Sequence, residues 1–139
     1  MQKKIRRSWL LVPVSKAELI AGAARAGADA IVLDLVELVV AAERAAARKN
    51  FQAALQTVRA GGADIFAQID PAAADADLRA CAWPGLSGVV VTRAESPAQI
   101  AAIAAQLERL ENARGLKSGS LEIIAALETA RGNHAAYEI

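Results

Sequence analysis

Five short runs of the chain are nearly continuous in valine, isoleucine and leucine: residues 9–14, 30–35, 64–69, 88–92 and 121–127. Alternating patterns mark strands with one wet face. Continuous patterns mark strands covered on both faces, as in parallel sheets. Between these runs, apolar residues return at helical spacing. Ser15-Lys16-Ala17-Glu18 has capping-box spacing, Leu19, Ile20, Ala23 and Ala24 share one face, and Gly27 closes the segment. Residues 42–59 read as an alanine-rich helix with Leu55 and Val58 on one side, stopped by Gly61-Gly62. A short helix over 73–82 halts near Pro84-Gly85. Ser96-Pro97-Ala98-Gln99 sets an N-cap serine before a first-turn proline, and Ile100, Ile103, Leu107 and Leu110 follow.

Strand and helix thus alternate from end to end, with about five strands and four helices. That order implies parallel strands joined by right-handed crossovers. Two architectures accommodate it: part of a (β/α)₈ TIM-type barrel, or an open, flavodoxin-like parallel sheet. With 139 residues, 1–139 reads as one domain. A complete barrel takes about 200–250 residues, so this length holds roughly the N-terminal half. The repeated punctuation Ala26-Gly27-Ala28-Asp29 and Gly61-Gly62-Ala63-Asp64 marks returns from helix to strand.

Composition narrows the classes. Hydrophobic residues make up 55% of the chain and charged residues 22%, enough apolar mass for a core. A formal net charge of +1 gives no basis for nucleic acid or an anionic membrane as partner. Arg6-Arg7-Ser8-Trp9-Leu10 has a twin-arginine look, but the apolar run behind it is cut short by Lys16 and Glu18. It reads as a first strand behind a basic arm that includes Lys3 and Lys4. No run reaches the roughly 20 apolar residues of a membrane span. The single cysteine, Cys81, excludes an internal disulfide and suits a reducing cytoplasm; it is expected as a buried structural thiol.

Ligands of parallel α/β folds bind at the carboxyl ends of the strands. Asp34, Glu37, Asp70, Glu95 and Glu128 all fall there, with Arg93 and Arg131 among them. Carboxylates gathered at one mouth repel each other, and a hard cation such as Mg²⁺ relieves that. The competing reading is that each acid caps the helix that follows it. Glu128, after the apolar run Ile123-Ile124-Ala125-Ala126-Leu127, stands out from the rest. His134, the only histidine, is expected to face solvent. No G-x-G-x-x-G phosphate loop is present, and Trp9 and Trp83 are expected to pack in the core or at its rim.

The strand ends also resemble a known set. Arg7-Ser8-Trp9-Leu10-Leu11-Val12-Pro13-Val14-Ser15 is similar to R-S-x-L-F-V-P-G-S/N, and residues 28–37 to G-A-D-A-V-I-L-D-L-E-D. Glu43-Arg44-Ala45-Ala46-Ala47-Arg48 is similar to E-K-x-x-A-R, residues 88–96 to G-V-V-L-P-K-V-E-S, and Leu127-Glu128-Thr129-Ala130-Arg131-Gly132 to I-E-T-A-R-G. In this order they resemble the citrate lyase beta chain and malyl-CoA lyase group of the HpcH/HpaI-type aldolases. The resemblance implies a (β/α)₈ barrel that makes or breaks a carbon–carbon bond beside a CoA thioester, with Mg²⁺ stabilising an enolate. It makes Glu128 the metal ligand and puts a second ligand, an Asp, in a strand–loop unit beyond Ile139. Asp34 and Glu37 become the catalytic acids that organise water and metal; Gln68 and Arg93 become substrate-binding. Departures are visible. Gln68 replaces the family's strand-three arginine, and a neutral amide cannot offer a cationic fork. Val36 and Glu37 stand for Glu and Asp, Thr92 and Arg93 for Pro and Lys, and Val14 for Gly.

Three functional expectations follow. The first is a Mg²⁺-dependent carbon–carbon lyase acting on a CoA thioester or small organic acid. The second is a non-catalytic remnant or assembly subunit that pairs through its open edges, a homo-oligomer or one of two complementary halves. The third is a flavodoxin-like binding module, for which Pro13-Val14-Ser15-Lys16 supplies no glycine run.

Overall fold

The computed structural model describes residues 5–139; Lys3 and Lys4 of the expected basic arm lie outside them. Five strands and five helices alternate: β1 (Trp9–Pro13), α1 (Ala17–Ala23), β2 (Ala30–Asp34), α2 (Arg44–Arg59), β3 (Asp64–Ile69), α3 (Ala74–Cys81), β4 (Gly88–Val91), α4 (Pro97–Ala113), β5 (Glu122–Ala125) and α5 (Ala130–His134). All neighbouring pairs are parallel, and the strand order is the chain order, β1-β2-β3-β4-β5. The sheet is open, with free edges at β1 and β5. Its order never reverses, whereas the flavodoxin-like order 2-1-3-4-5 does. An unreversed run of β/α units is the sequence of strands in a (β/α)₈ barrel.

The helices gather on one face. Val12, Ile31, Leu33, Ile65, Ala67, Ile69, Val89 and Val91 pack there against Ala47, Phe51, Leu55 and Val58 of α2, Leu78 and Cys81 of α3, and Ile103 and Leu107 of α4. On α2 the buried positions 47, 51, 54, 55 and 58 form one helical stripe. The alternate strand positions turn the other way, where Ala30, Val32 and Phe66 form a smaller cluster joined by Val90 and Ile124. On this inner face Trp9 and Leu11 remain 44% and 39% exposed.

One arginine spans the inner face at the amino ends of the strands. Arg6 Nε donates to Asp64 of β3 at 2.6 Å, and its two terminal nitrogens bond both carboxylate oxygens of Glu122 of β5, at 2.6 and 2.9 Å. The guanidinium also lies over Phe66, 4.9 Å from the ring centroid, and its bonds to Glu122 first and then to Asp64 raise its already high pKa. A flat sheet would separate β1 from β5 by four strand spacings, about 19 Å. One arginine and one glutamate do not reach so far, so the bridge reports a curled sheet. Nearby, Asp29 accepts from the backbone N–H groups of Arg7 and Ser8 and from the Ser8 hydroxyl, which hold its carboxyl below the usual carboxylate range.

The local signals of the sequence hold unevenly. Ser96 caps α4 by accepting from Gln99 N–H, while Gln99 accepts from Glu95 N–H. The Ser15 capping box does not form. A turn with Lys16 N–H on Pro13 C=O delays the helix, Lys16 becomes the N-cap, and the Ser15 hydroxyl is left buried without a partner among the described residues. The helix expected from residue 42 begins as a single 3₁₀ turn, Ala41–Glu43, and becomes α-helical at Arg44. β5 is shorter than expected and only half-buried, because it is an edge. Cys81 is fully buried, as expected, and burial pushes its thiol pKa far up. Trp83 packs at the rim under the guanidinium of Arg114, 3.8 Å away.

Two buried acids went unread in the sequence. Asp77 on α3 accepts from Asp70 N–H and from Arg48 Nε at 2.7 Å. Glu111 on α4 is 2% exposed and accepts from the N–H groups of Gly119 and Leu121 and from the Ser120 hydroxyl, holding the loop into β5. A Glu111→Ala chain keeps those donors buried and unanswered. It is expected to lose about 2–3 kcal/mol in urea denaturation, with the helical far-ultraviolet signal retained; an unchanged midpoint would remove the anchoring role.

Candidate functional site

The carboxyl ends of the strands form the candidate site. Asp34 ends β2 on the inner face and is fully buried. Its oxygens accept from the N–H groups of Val36 (2.9 Å), Glu37 (3.1 Å) and Leu38. The carboxylate thereby folds the loop that follows β2. Glu37 lies in that loop and is exposed. Gln68 faces inward beside Asp34, its pairing partner across β2 and β3, and is 8% exposed.

Asp70, just past β3, is the centre of the charge pattern. Its Oδ1 accepts from Ala72 N–H at 2.9 Å and lies 3.0 Å from Arg93 Nη2, and its Oδ2 lies 3.5 Å from Arg44 Nη1. Arg44 also donates to Val36 C=O at 3.1 Å. Arg93, just past β4, has a φ of 48°, the left-handed region that a branched or long side chain seldom occupies. Its backbone N–H donates to Glu128 Oε2 at 2.9 Å. One continuous path therefore joins the loops after β2, β3, β4 and β5, through Arg44, Asp70, Arg93 and Glu128.

Of the acids expected at one mouth, the structure links Asp70 and Glu128 through Arg93 and commits Asp34 to backbone. Glu95 stands apart, half-buried ahead of α4. Glu128 itself is exposed rather than closed in by its strand. His134 is exposed in the last turn of α5, as expected. Among the described residues no group of three or more His, Cys, Asp or Glu side chains could hold a metal. Glu128 has one carboxylate oxygen outside its bond to Arg93, which makes a single ligand and not a Mg²⁺ site. No described helix is long and apolar enough to cross a membrane. The sequence reading missed Arg44 and the part Asp70 plays; the E-K-x-x-A-R-like stretch was the only hint of the first. A shallow cleft of about 430 Å³ beside Gln52, Arg59, Trp83 and Arg114 collects the C-terminal ends of helices, so it lies away from this mouth.

Parallel β/α units in chain order, with charged side chains gathered at the strand tips, define half of a (β/α)₈-barrel scaffold. Residues 7–139 match the family model HpcH/HpaI aldolase/citrate lyase, and the chain belongs to that family. Citrate lyase subunit beta of Leuconostoc mesenteroides subsp. cremoris is 29% identical over 140 aligned positions, 99% of this chain and 46% of the relative. The citrate lyase beta subunit of M. tuberculosis, solved with oxaloacetate and magnesium, is 32% identical with a TM-score of 0.65, covering 94% of this chain and 51% of that one. The Haloferax volcanii malate synthase magnesium/glyoxylate complex superposes with a TM-score of 0.83 at 16% identity, over 97% of this chain and 46% of that one. The last likeness is one of fold. The chain spans about half the length of the curated relatives it matches.

Gly132 sets how α5 seats under the mouth. A Cβ there would lie 2.3 Å from Ala94 C=O, in the loop next to Arg93. Gly132→Ala is expected to push α5 off that loop, cost about 1–3 kcal/mol, and shift the Arg93 amide resonance. Gly22→Ala, where a Cβ meets nothing within 4 Å, is the control and is expected to gain about 0.5–1 kcal/mol. Equal thermal shifts for the two variants would count against the close contact.

Proposed function

We propose that this chain forms the first-half wall of a carbon–carbon lyase site, acting on a small organic acid joined to, or released beside, a CoA thioester. The observation that carries the reading is the Asp70–Arg93–Glu128 path at the mouth of a chain in this family. Arg93 presents a half-exposed guanidinium to a substrate carboxylate. Gln68 offers a neutral amide to a hydroxyl or carbonyl oxygen. Asp34 holds the loop after β2 in shape, which fixes where Glu37 enters the mouth. Glu128 would give one oxygen to Mg²⁺, whose other protein ligand would come from outside the described residues. When bound, that ion polarises a carbonyl and stabilises enolate charge.

The test is a closed barrel. Fused to the C-terminal half of the Leuconostoc relative, the chain is expected to cleave citryl-CoA or malyl-CoA with Mg²⁺. Glu128→Gln in the same fusion is expected to lower kcat at least about a hundredfold, a loss of nearly 3 kcal/mol in transition-state binding. A folded fusion with no turnover above buffer would sink the reading.

A second reading is favoured by the exposed inner face, where Trp9 and Leu11 project from the edge strand β1. In it the chain is an assembly subunit that covers this face with another copy or a complementary half. Light scattering is then expected to give a mass above the 14.5 kDa of one chain; a stable monomer at millimolar concentration rejects self-pairing.

A further inference from the structure

Two guanidiniums, one from the first residue of α2 and one from the loop after β4, converge on one carboxylate at the mouth. Asp70 is 7% exposed and has no freedom to follow a ligand outward, because its Oδ1 is also tied to Ala72 N–H and its own N–H to Asp77. Arg93, by contrast, is 49% exposed along its side chain and reaches Asp70 through one terminal nitrogen, Nη2. Its other side-chain donors have no hydrogen-bond partner among the described residues. Its backbone is held in the left-handed region by the bond to Glu128, so the side chain starts from a fixed base. Arg44 holds Asp70 from the other side, but loosely: the contact is 3.5 Å, and Arg44 Nε is buried with no acceptor among the described residues.

We propose that Asp70 is a positioning residue that gates Arg93 as the carboxylate-recognition residue of this chain, and that Arg44 sets how strongly the gate is held. An entering carboxylate takes the Arg93 fork in competition with Asp70. Asp70, held in place by Ala72 and Asp77, then keeps Arg44 as its counter-charge. The cation that recognises a small dicarboxylate thus comes from the β4 loop, while position 68 of β3 carries only an amide. This inference takes its ligand class from the lyase reading, yet it concerns binding alone, so absence of turnover leaves it standing.

The experiment titrates malonate into the ¹⁵N-labelled chain at low ionic strength, following the Arg93 Nε–Hε resonance and the heat of binding. Arg93→Met is expected to weaken malonate about tenfold or more, the worth of one charge-assisted fork, and Arg93→Lys to recover only part of that loss. Asp70→Asn keeps an acceptor for Ala72 N–H while removing the competitor's charge; it is expected to tighten malonate about three- to tenfold. Arg44→Met returns Asp70 wholly to Arg93 and is expected to weaken malonate by about two- to threefold. Net charge alone would give those signs, so the gating readout is the Arg93 Nε–Hε resonance of the unliganded chain, which is expected to move in opposite directions in Asp70→Asn and Arg44→Met; an unmoved resonance in both overturns the gate. Arg93→Met binding as tightly as the parent, or both Asp70→Asn and Arg44→Met shifting affinity the same way, overturns the proposal. Should Asp70→Asn fail to fold, the Arg93 and Arg44 variants still decide it.

Discussion

The shape of the mouth depends on a bridge at the opposite end of the sheet. Arg6, ahead of β1, joins β3 through Asp64 and β5 through Glu122, and lays its guanidinium over Phe66. Helices cover only the other face, so packing alone does not set how far the sheet bends. A charged tie across the inner face does. Because the strands are parallel and rigidly paired, curl fixed at their amino ends is carried to their carboxyl ends. There it brings the loops after β2 to β5 close enough for single side chains to link them.

At those ends the chain replaces a gathering of bare acids with an alternation of charge. Asp34 accepts from three backbone N–H groups, and Asp70 meets two arginines and one backbone N–H. Each of these buried acids finds donors for its oxygens, as a buried polar group must. Glu128, which is exposed, keeps one oxygen outside its bond to Arg93. Thr92 reinforces this arrangement. Both its N–H and its hydroxyl bond Ile69 C=O, at 3.2 and 3.0 Å, which clamps the tip of β4 to the tip of β3. The related motif has proline at that place, which lacks an N–H to give. The two loops that carry Asp70 and Arg93 are therefore doubly joined in this chain.

Much of the scaffold was legible because its causes are local. Continuous apolar runs announce buried parallel strands, and Ser96-Pro97 with Gln99 announces the start of α4. The order of those units, with their strand-end motifs, pointed to the family and to Arg93 and Glu128. What stayed hidden depends on distant partners. Asp77 and Glu111 look like surface acids of amphipathic helices until Arg48 and the loop at 119–121 close over them. The bond from Arg6 to Glu122 joins residues 116 positions apart, and no periodicity encodes it. Ser15 misled for the reverse reason: its spacing to Glu18 was right, but a turn from Pro13 moved the helix start by one residue.

The outer layer also contains a reporter on its own opening. Cys81 is sealed between α3 and the sheet, its thiolate suppressed by burial. In the closed molecule it is therefore inert to alkylating or disulfide-forming reagents. Any thiol chemistry on this chain must pass through a separation of α3 from β3 and β4, and its rate counts how often that part of the wall breathes.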